Sequence, residues 1–143
     1  MEIVKQKKDV IISVCIITYN QEKIIGRVIE YVLQQQTNFK YEIVIGEDCS
    51  TDNTLEICKK YAYQYPDKIK LLAHPNNLGL VGNFTETIGN CQGKYIAICA
   101  GDDYWIDPKK LEMQTSFLEK NESFSMVATE AYYNAHNVNK NVK

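Results

Sequence analysis

Four short apolar runs, residues 10–17, 41–45, 69–73 and 95–99, alternate along the chain with stretches whose apolar residues recur at helical spacing. That alternation limits the fold more than any other feature. Between residues 22 and 36 the apolar positions Ile24, Ile25, Val28, Ile29, Val32 and Leu33 form one stripe, with Lys23, Arg27 and Glu30 off it. Leu55, Ile57, Cys58, Tyr61, Ala62 and Tyr65 continue a second helix up to Pro66, with an N-cap expected from the cluster Ser50 to Asn53. A less regular helix is expected over 80–91, ended by Gly93, and a fourth over 108–120, opened by Asp107 and Pro108. The run at 10–17 reads as a strand buried on both faces, and that at 95–99 as a buried strand. A last strand is expected over 124–133. The order βαβαβαβ predicts a three-layer α/β/α, Rossmann-like domain with a mainly parallel sheet. No internal repeat or linker interrupts it, so residues 1–143 are expected to form a single domain, with flexible ends at 1–9 and 134–143.

Composition excludes several classes of partner. A formal charge of −2 offers no basic surface for nucleic acid or an anionic membrane. No apolar stretch approaches the ~20 residues of a membrane span. The five cysteines (Cys15, Cys49, Cys58, Cys91 and Cys99) are odd in number and lack CxxC spacing. They suit a reduced cytoplasmic protein, where they serve as small buried hydrophobes. No secretory signal precedes the first strand. His74 and His136 lie at no metal-ligand spacing and read as loop and surface residues. Trp105 is expected to pack, and Tyr61, Tyr63 and Tyr65 to form a helix flank against the sheet.

Function is sought where an open α/β sheet binds ligands, at the carboxyl ends of its strands. Thr18, Tyr19 and Asn20 follow the first strand, Glu47 and Asp48 the second, and Gly101, Asp102 and Asp103 the fourth. Adjacent carboxylates such as Asp102 and Asp103 repel unless a cation sits beside them. A divalent ion held by one or two carboxylates and completed by phosphate oxygens relieves that repulsion. An aromatic ring such as Tyr19 can stack on a nucleobase, and a carboxylate such as Asp48 can accept a ring N–H. Together they describe a pocket for a nucleoside diphosphate.

These pieces resemble the inverting glycosyltransferases of the family-2 type, with the GT-A fold. The resemblance rests on Val14-Cys-Ile-Ile-Thr-Tyr-Asn20, on Glu42-Ile-Val-Ile-Gly-Glu-Asp-Cys-Ser-Thr-Asp-Asn-Thr54, on Asn77-Leu-Gly79, on Gly93-Lys-Tyr-Ile96, and on Gly101-Asp-Asp-Tyr-Trp105 with Pro108. It runs from about residue 10 to 118. It implies a metal-dependent (Mn2+ or Mg2+) transfer of a sugar, with inversion, from a nucleotide-diphosphate sugar, UDP-sugar favoured. The acceptor implied is the hydroxyl of a glycan or lipid-linked molecule in cell-surface polysaccharide synthesis. By the same resemblance Tyr19 packs on the base, Asp48 reads its N3–H, and the loop from Asn77 through Gly79 to Asn83 borders the nucleotide and sugar. Asp102 takes the last place of the DxD metal motif. The first acidic place of that motif is Ala100 here, with Asp103 available to compensate. Asn83-Phe84 stands where many members carry a base near the diphosphate.

The acceptor-binding half and the general base of this family lie beyond the matched region. The 143 residues are therefore expected to bind nucleotide and metal but to transfer sugar poorly alone, and to self-associate through apolar surface that a second half would cover. A non-catalytic nucleotide-sugar-binding module or subunit is the alternative. A nucleotidyltransferase would need a glycine-rich basic loop near the first strand, and a phospho-receiver domain an acidic pair after it; neither is present.

Overall fold

A computed structural model describes residues 11–131. Its elements are β1 (Ile12–Thr18), α1 (Ile25–Leu33), β2 (Tyr41–Glu47), α2 (Thr54–Gln64), β3 (Ile69–Ala73), α3 (Gly79–Gly89), β4 (Tyr95–Ala100) and α4 (Lys110–Lys120). The sheet has the order β3-β2-β1-β4, with every pairing parallel. The chain steps outward from β1 to β3, then returns to place β4 on the other side of β1. The strand order therefore reverses between β1 and β4, and in open α/β sheets that reversal marks the ligand crevice.

Side-chain alternation builds the two faces. Ile12, Val14 and Ile16 of β1 and Ile43 and Ile45 of β2 join Ile25, Val28, Ile29 and Val32 of α1, Cys58 of α2 and Leu111 of α4 in one buried core. Trp105 belongs to that core, as expected. On the opposite face α3 packs over β1 and β2. Gly46 makes this seat possible: a Cβ there would overlap the side chains of Thr87 and Asn83.

Four expectations need correction. β4 is a half-exposed edge strand rather than a buried one, because α3 lies over β1 and β2 and leaves Ile96 and Ile98 uncovered, Ile98 at 60% exposure. The tyrosines of α2 do not form one flank: residues two apart diverge on a helix, so Tyr61 packs on the core while Tyr63 is 88% exposed. Residues 124–131 form no strand and run exposed, Met126 at 79%; the rest of that expected strand, and both expected flexible ends, lie outside the described residues. Gly93 does not end α3, which closes at Gly89 with Asn90 as its C-cap. Gly93 instead lets the chain pass against β1, where a Cβ would lie 2.7 Å from the Ile12 carbonyl carbon.

Gln35 locks α4 to the rest. Its amide donates to the Asp107 carbonyl (2.8 Å, part-buried) and its Oε1 accepts the Leu111 N–H (3.0 Å, buried). Gln35→Ala strands both backbone groups, and a loss of about 2 kcal/mol is expected in urea unfolding. A loss below about 0.5 kcal/mol, the scale of a plain surface change, would remove that role from Gln35.

Glu112 reinforces the same joint. The Asn38 N–H (2.8 Å) and the Thr37 hydroxyl (2.9 Å) donate to its carboxylate and hold its pKa below the usual range. A depressed carboxyl stabilises the fold above its unfolded pKa and ceases to do so as pH falls through the folded value. Wild type should therefore out-melt Glu112→Ala at neutral pH, and the gap should close on acidification. A gap independent of pH would contradict this.

Candidate functional site

Strand register decides which residues share the carboxyl rim. Thr18 is level with Glu47, and Ile17 is level with Ala100. The ladder runs one step further on each side: Asp48 N–H donates to the Thr18 carbonyl (3.1 Å) and Gly101 N–H to the Ile17 carbonyl (3.1 Å). Asp48, Tyr19 and Asp102 thus leave three adjacent strands at one edge, in the order β2, β1, β4. With strands roughly 4.8 Å apart, the row spans about 10 Å. Tyr19 and Asp102 flank the β1–β4 reversal.

Tyr19 is 46% exposed, so its ring is free to meet a planar ligand. The next residue, Asn20, takes a left-handed conformation (φ 52°), and Cys49 after Asp48 does the same (φ 59°). These two turns are joined: Asn20 N–H donates to Ser50 Oγ (2.9 Å), and Asn20 Oδ1 accepts the Thr51 N–H (2.7 Å).

Asp48 is buried, at 3% exposure. Its Oδ1 accepts the Leu78 N–H (2.7 Å), and its own carbonyl accepts from the Asn77 amide (3.0 Å). Asn77 Oδ1 in turn accepts the N–H of Gly79 (3.1 Å), whose φ of +73° turns the chain into α3. Among the described residues no protein donor faces Asp48 Oδ2, and the only sealed side-chain polar atom without a partner is Glu47 Oε2. Asp48 Oδ2 is therefore both unpartnered and reachable, an acceptor open to a ligand N–H.

Three residues expected at the ligand are turned inward. Thr18 is buried and its hydroxyl donates to Gln21 Oε1 (2.7 Å). Glu47 is wholly buried on the α2 side, where its Oε1 accepts the Ser50 N–H (2.8 Å). Burial, and then the charge of Glu47, push the Cys58 thiol up to about 12. Asn83 is buried under Gly46: its amide donates to the Gly46 carbonyl (3.0 Å), while Oδ1 meets the Thr87 hydroxyl (3.2 Å) and His74 Nε2 (3.1 Å). Its carbonyl oxygen and one amide N–H are spent on fixing α3, and the residue is buried. His74, read from sequence as a plain loop residue, is part of that network.

Gly101 is buried and brings the backbone against Gln21, whose side chain a Cβ there would strike. Gln21 also donates its N–H to Thr54 Oγ1 (2.7 Å), and its carbonyl accepts the first N–H groups of α1. It is a peg between β1, α2 and the carboxylate loop. Sequence reading missed it, although Thr18-x-x-Gln21 has the spacing of a capping box.

Asp102 and Asp103 are exposed at the rim. Burial first, then the charges of Asp103 and Asp102, raise the Cys99 thiol behind them to about 12, partly offset by Lys110. No group of three or more His, Cys, Asp or Glu converges on a metal site among the described residues. One or two exposed carboxylates without further protein ligands fit a hard divalent ion whose other ligands are phosphate and water. Two surface hollows line α1 and α2 around Glu30 and Gln34, away from this rim. No helix among the described residues is long and apolar enough to cross a membrane.

Comparison with known proteins gives the family. The family model described as Glycosyl transferase family 2 matches residues 13–143. The chain is 37% identical over 118 residues to the "Putative glycosyltransferase EpsE" of Bacillus subtilis, covering 82% of this chain and 42% of EpsE. It is 34% identical over 114 residues to the Escherichia coli "UDP-Glc:alpha-D-GlcNAc-diphosphoundecaprenol beta-1,3-glucosyltransferase WfgD", covering 79% and 43%. The crystal structure of S. aureus TarS 1-349 in complex with UDP-GlcNAc superposes with a TM-score of 0.68 at 27% identity, over 78% of this chain and 32% of that one. The chain thus spans under half the length of these relatives.

Proposed function

The chain belongs to glycosyl transferase family 2, and from that premise we propose that it forms the donor-binding part of an inverting, metal-dependent transferase acting on a UDP-sugar. Uracil stacks on Tyr19 and donates its N3–H to Asp48 Oδ2. The diphosphate runs along the β1–β4 crevice toward Gly101, Asp102 and Asp103. Those two carboxylates would hold a Mn2+ or Mg2+ ion, whose chemistry is to neutralise charge on the diphosphate. The acceptor in this reading is a glycan or lipid-linked hydroxyl, as in the reaction named for WfgD.

The observation that carries the reading is the register that puts Asp48, Tyr19 and Asp102 on one edge. Uridine is favoured because the open atom of Asp48 is an acceptor, which suits the N3–H of uracil and repels the N3 lone pair of cytosine. The UDP-GlcNAc complex of TarS supports the same choice.

Calorimetric titration with UDP, CDP, GDP and ADP, each with and without Mn2+, tests this. UDP should bind tightest, and Mn2+ should strengthen UDP by about tenfold while leaving uridine unchanged. Equal affinity for all four nucleotides, or no binding, would overturn the proposal. Slow release of sugar from a UDP-sugar into water would separate the transferase reading from that of a non-catalytic binding module.

A further inference from the structure

Glu47 is the one described residue whose buried side chain keeps a polar atom unmatched. Its Oε1 accepts the Ser50 N–H (2.8 Å), while its Oε2 is sealed from solvent without a donor. Burying a carboxylate oxygen unpaired is costly, and a packed apolar side chain would avoid that cost. The carboxylate is best accounted for by what its bonded oxygen holds. Between Glu47 and Ser50 the chain passes through Asp48 and the left-handed Cys49, so the bond to Ser50 closes the turn that aims Asp48. Ser50 then carries the constraint across the rim, because its hydroxyl accepts the N–H of Asn20, the residue after Tyr19. Thr51, next in line, returns a bond to Asn20 Oδ1. An aromatic residue and an acid each precede a left-handed residue, and a single series of bonds from Glu47 through Ser50 to Asn20 sets their separation.

We propose that Glu47 is a positioning residue that fixes the spacing between Tyr19 and Asp48, and so makes the site select uracil over cytosine. This rests on the uridine reading above and deepens it. Stacking on Tyr19 tolerates either pyrimidine, so it does not distinguish them. Discrimination comes from a rigid Asp48, since an acid free to swing away can admit the cytosine N3 lone pair through a water.

The test measures the ratio of CDP to UDP dissociation constants by calorimetry for wild type, Glu47→Ala, Glu47→Gln and Ser50→Ala, with melting temperatures alongside. Glu47→Ala should lower the ratio at least tenfold, through weaker UDP binding at nearly constant CDP binding. Glu47→Gln keeps an acceptor for the Ser50 N–H and should hold the ratio within about threefold of wild type. Ser50→Ala removes one hydroxyl from a half-buried loop position and keeps the fold even if Glu47→Ala does not; it should lower the ratio about threefold or more. A purely structural role would lower the melting temperature and weaken both nucleotides alike, and a ratio unchanged in Ser50→Ala and in any folded Glu47→Ala would overturn the inference alone. Absence of any UDP preference in wild type would overturn the uridine reading and this inference with it.

Discussion

Asp48→Asn is expected to weaken UDP binding by roughly 10- to 150-fold and to leave CDP the preferred nucleotide. The direction follows from which oxygen is already in use. Oδ1 accepts the Leu78 N–H at 2.7 Å, so the asparagine will keep its oxygen there and present its NH2 group at the former Oδ2. A donor then faces uracil N3–H, another donor, whereas the cytosine N3 lone pair can accept from it. Losing a hydrogen bond to a charged group costs about 1.5–3 kcal/mol, which sets the range for UDP. Calorimetry with both nucleotides checks it. A variant that weakens both equally would show that Asp48 supports the loop and does not read the base.

The largest loss of stability is expected at Gly46→Ala. A methyl group there overlaps Thr87 and Asn83 of α3, and the neighbours cannot simply yield. Asn83 is bonded to the Gly46 carbonyl and Thr87 is bonded back to Asn83, so a shift of α3 breaks buried hydrogen bonds as well as packing. Overpacking of this kind costs about 3 kcal/mol. The urea midpoint should fall accordingly, and the melting temperature by roughly 10 °C. UDP affinity should fall too, because α3 begins at the loop that gives Leu78 N–H to Asp48. A midpoint within error of wild type would mean that α3 is not seated as described.

Much of this was readable in the chain before any coordinates. Periodicity placed all four helices and four parallel strands, because the alternation of β-branched runs with amphipathic stripes leaves little other architecture open. It failed at β4 for an identifiable reason. An apolar run announces apolar surroundings without saying whether they belong to the same stretch of chain, and here α3 covers β1 and β2 instead. The rim residues Tyr19, Asp48 and Asp102 were legible because strand ends in a parallel sheet gather at one edge. Which of their neighbours face outward was not legible. Glu47 and Asp48 are adjacent acids, yet strand alternation sends one into the α2 layer and leaves the other at the rim. Asn83 suggested a ligand contact from its position, but the close approach at Gly46 directs it into the sheet. Gln21 and Gln35 carried no chemical signature, since an amide that satisfies backbone groups looks like any surface glutamine until its partners are placed.

Amide NMR of the protein titrated with UDP, and then with Mn2+, tests the gathering of these residues most directly. The account predicts shifts at Tyr19, Asp48 and Leu78 with UDP alone, followed by Mn2+ broadening centred on Gly101 to Asp103. Shifts confined to the α1–α2 surface, or broadening remote from the end of β4, would contradict it.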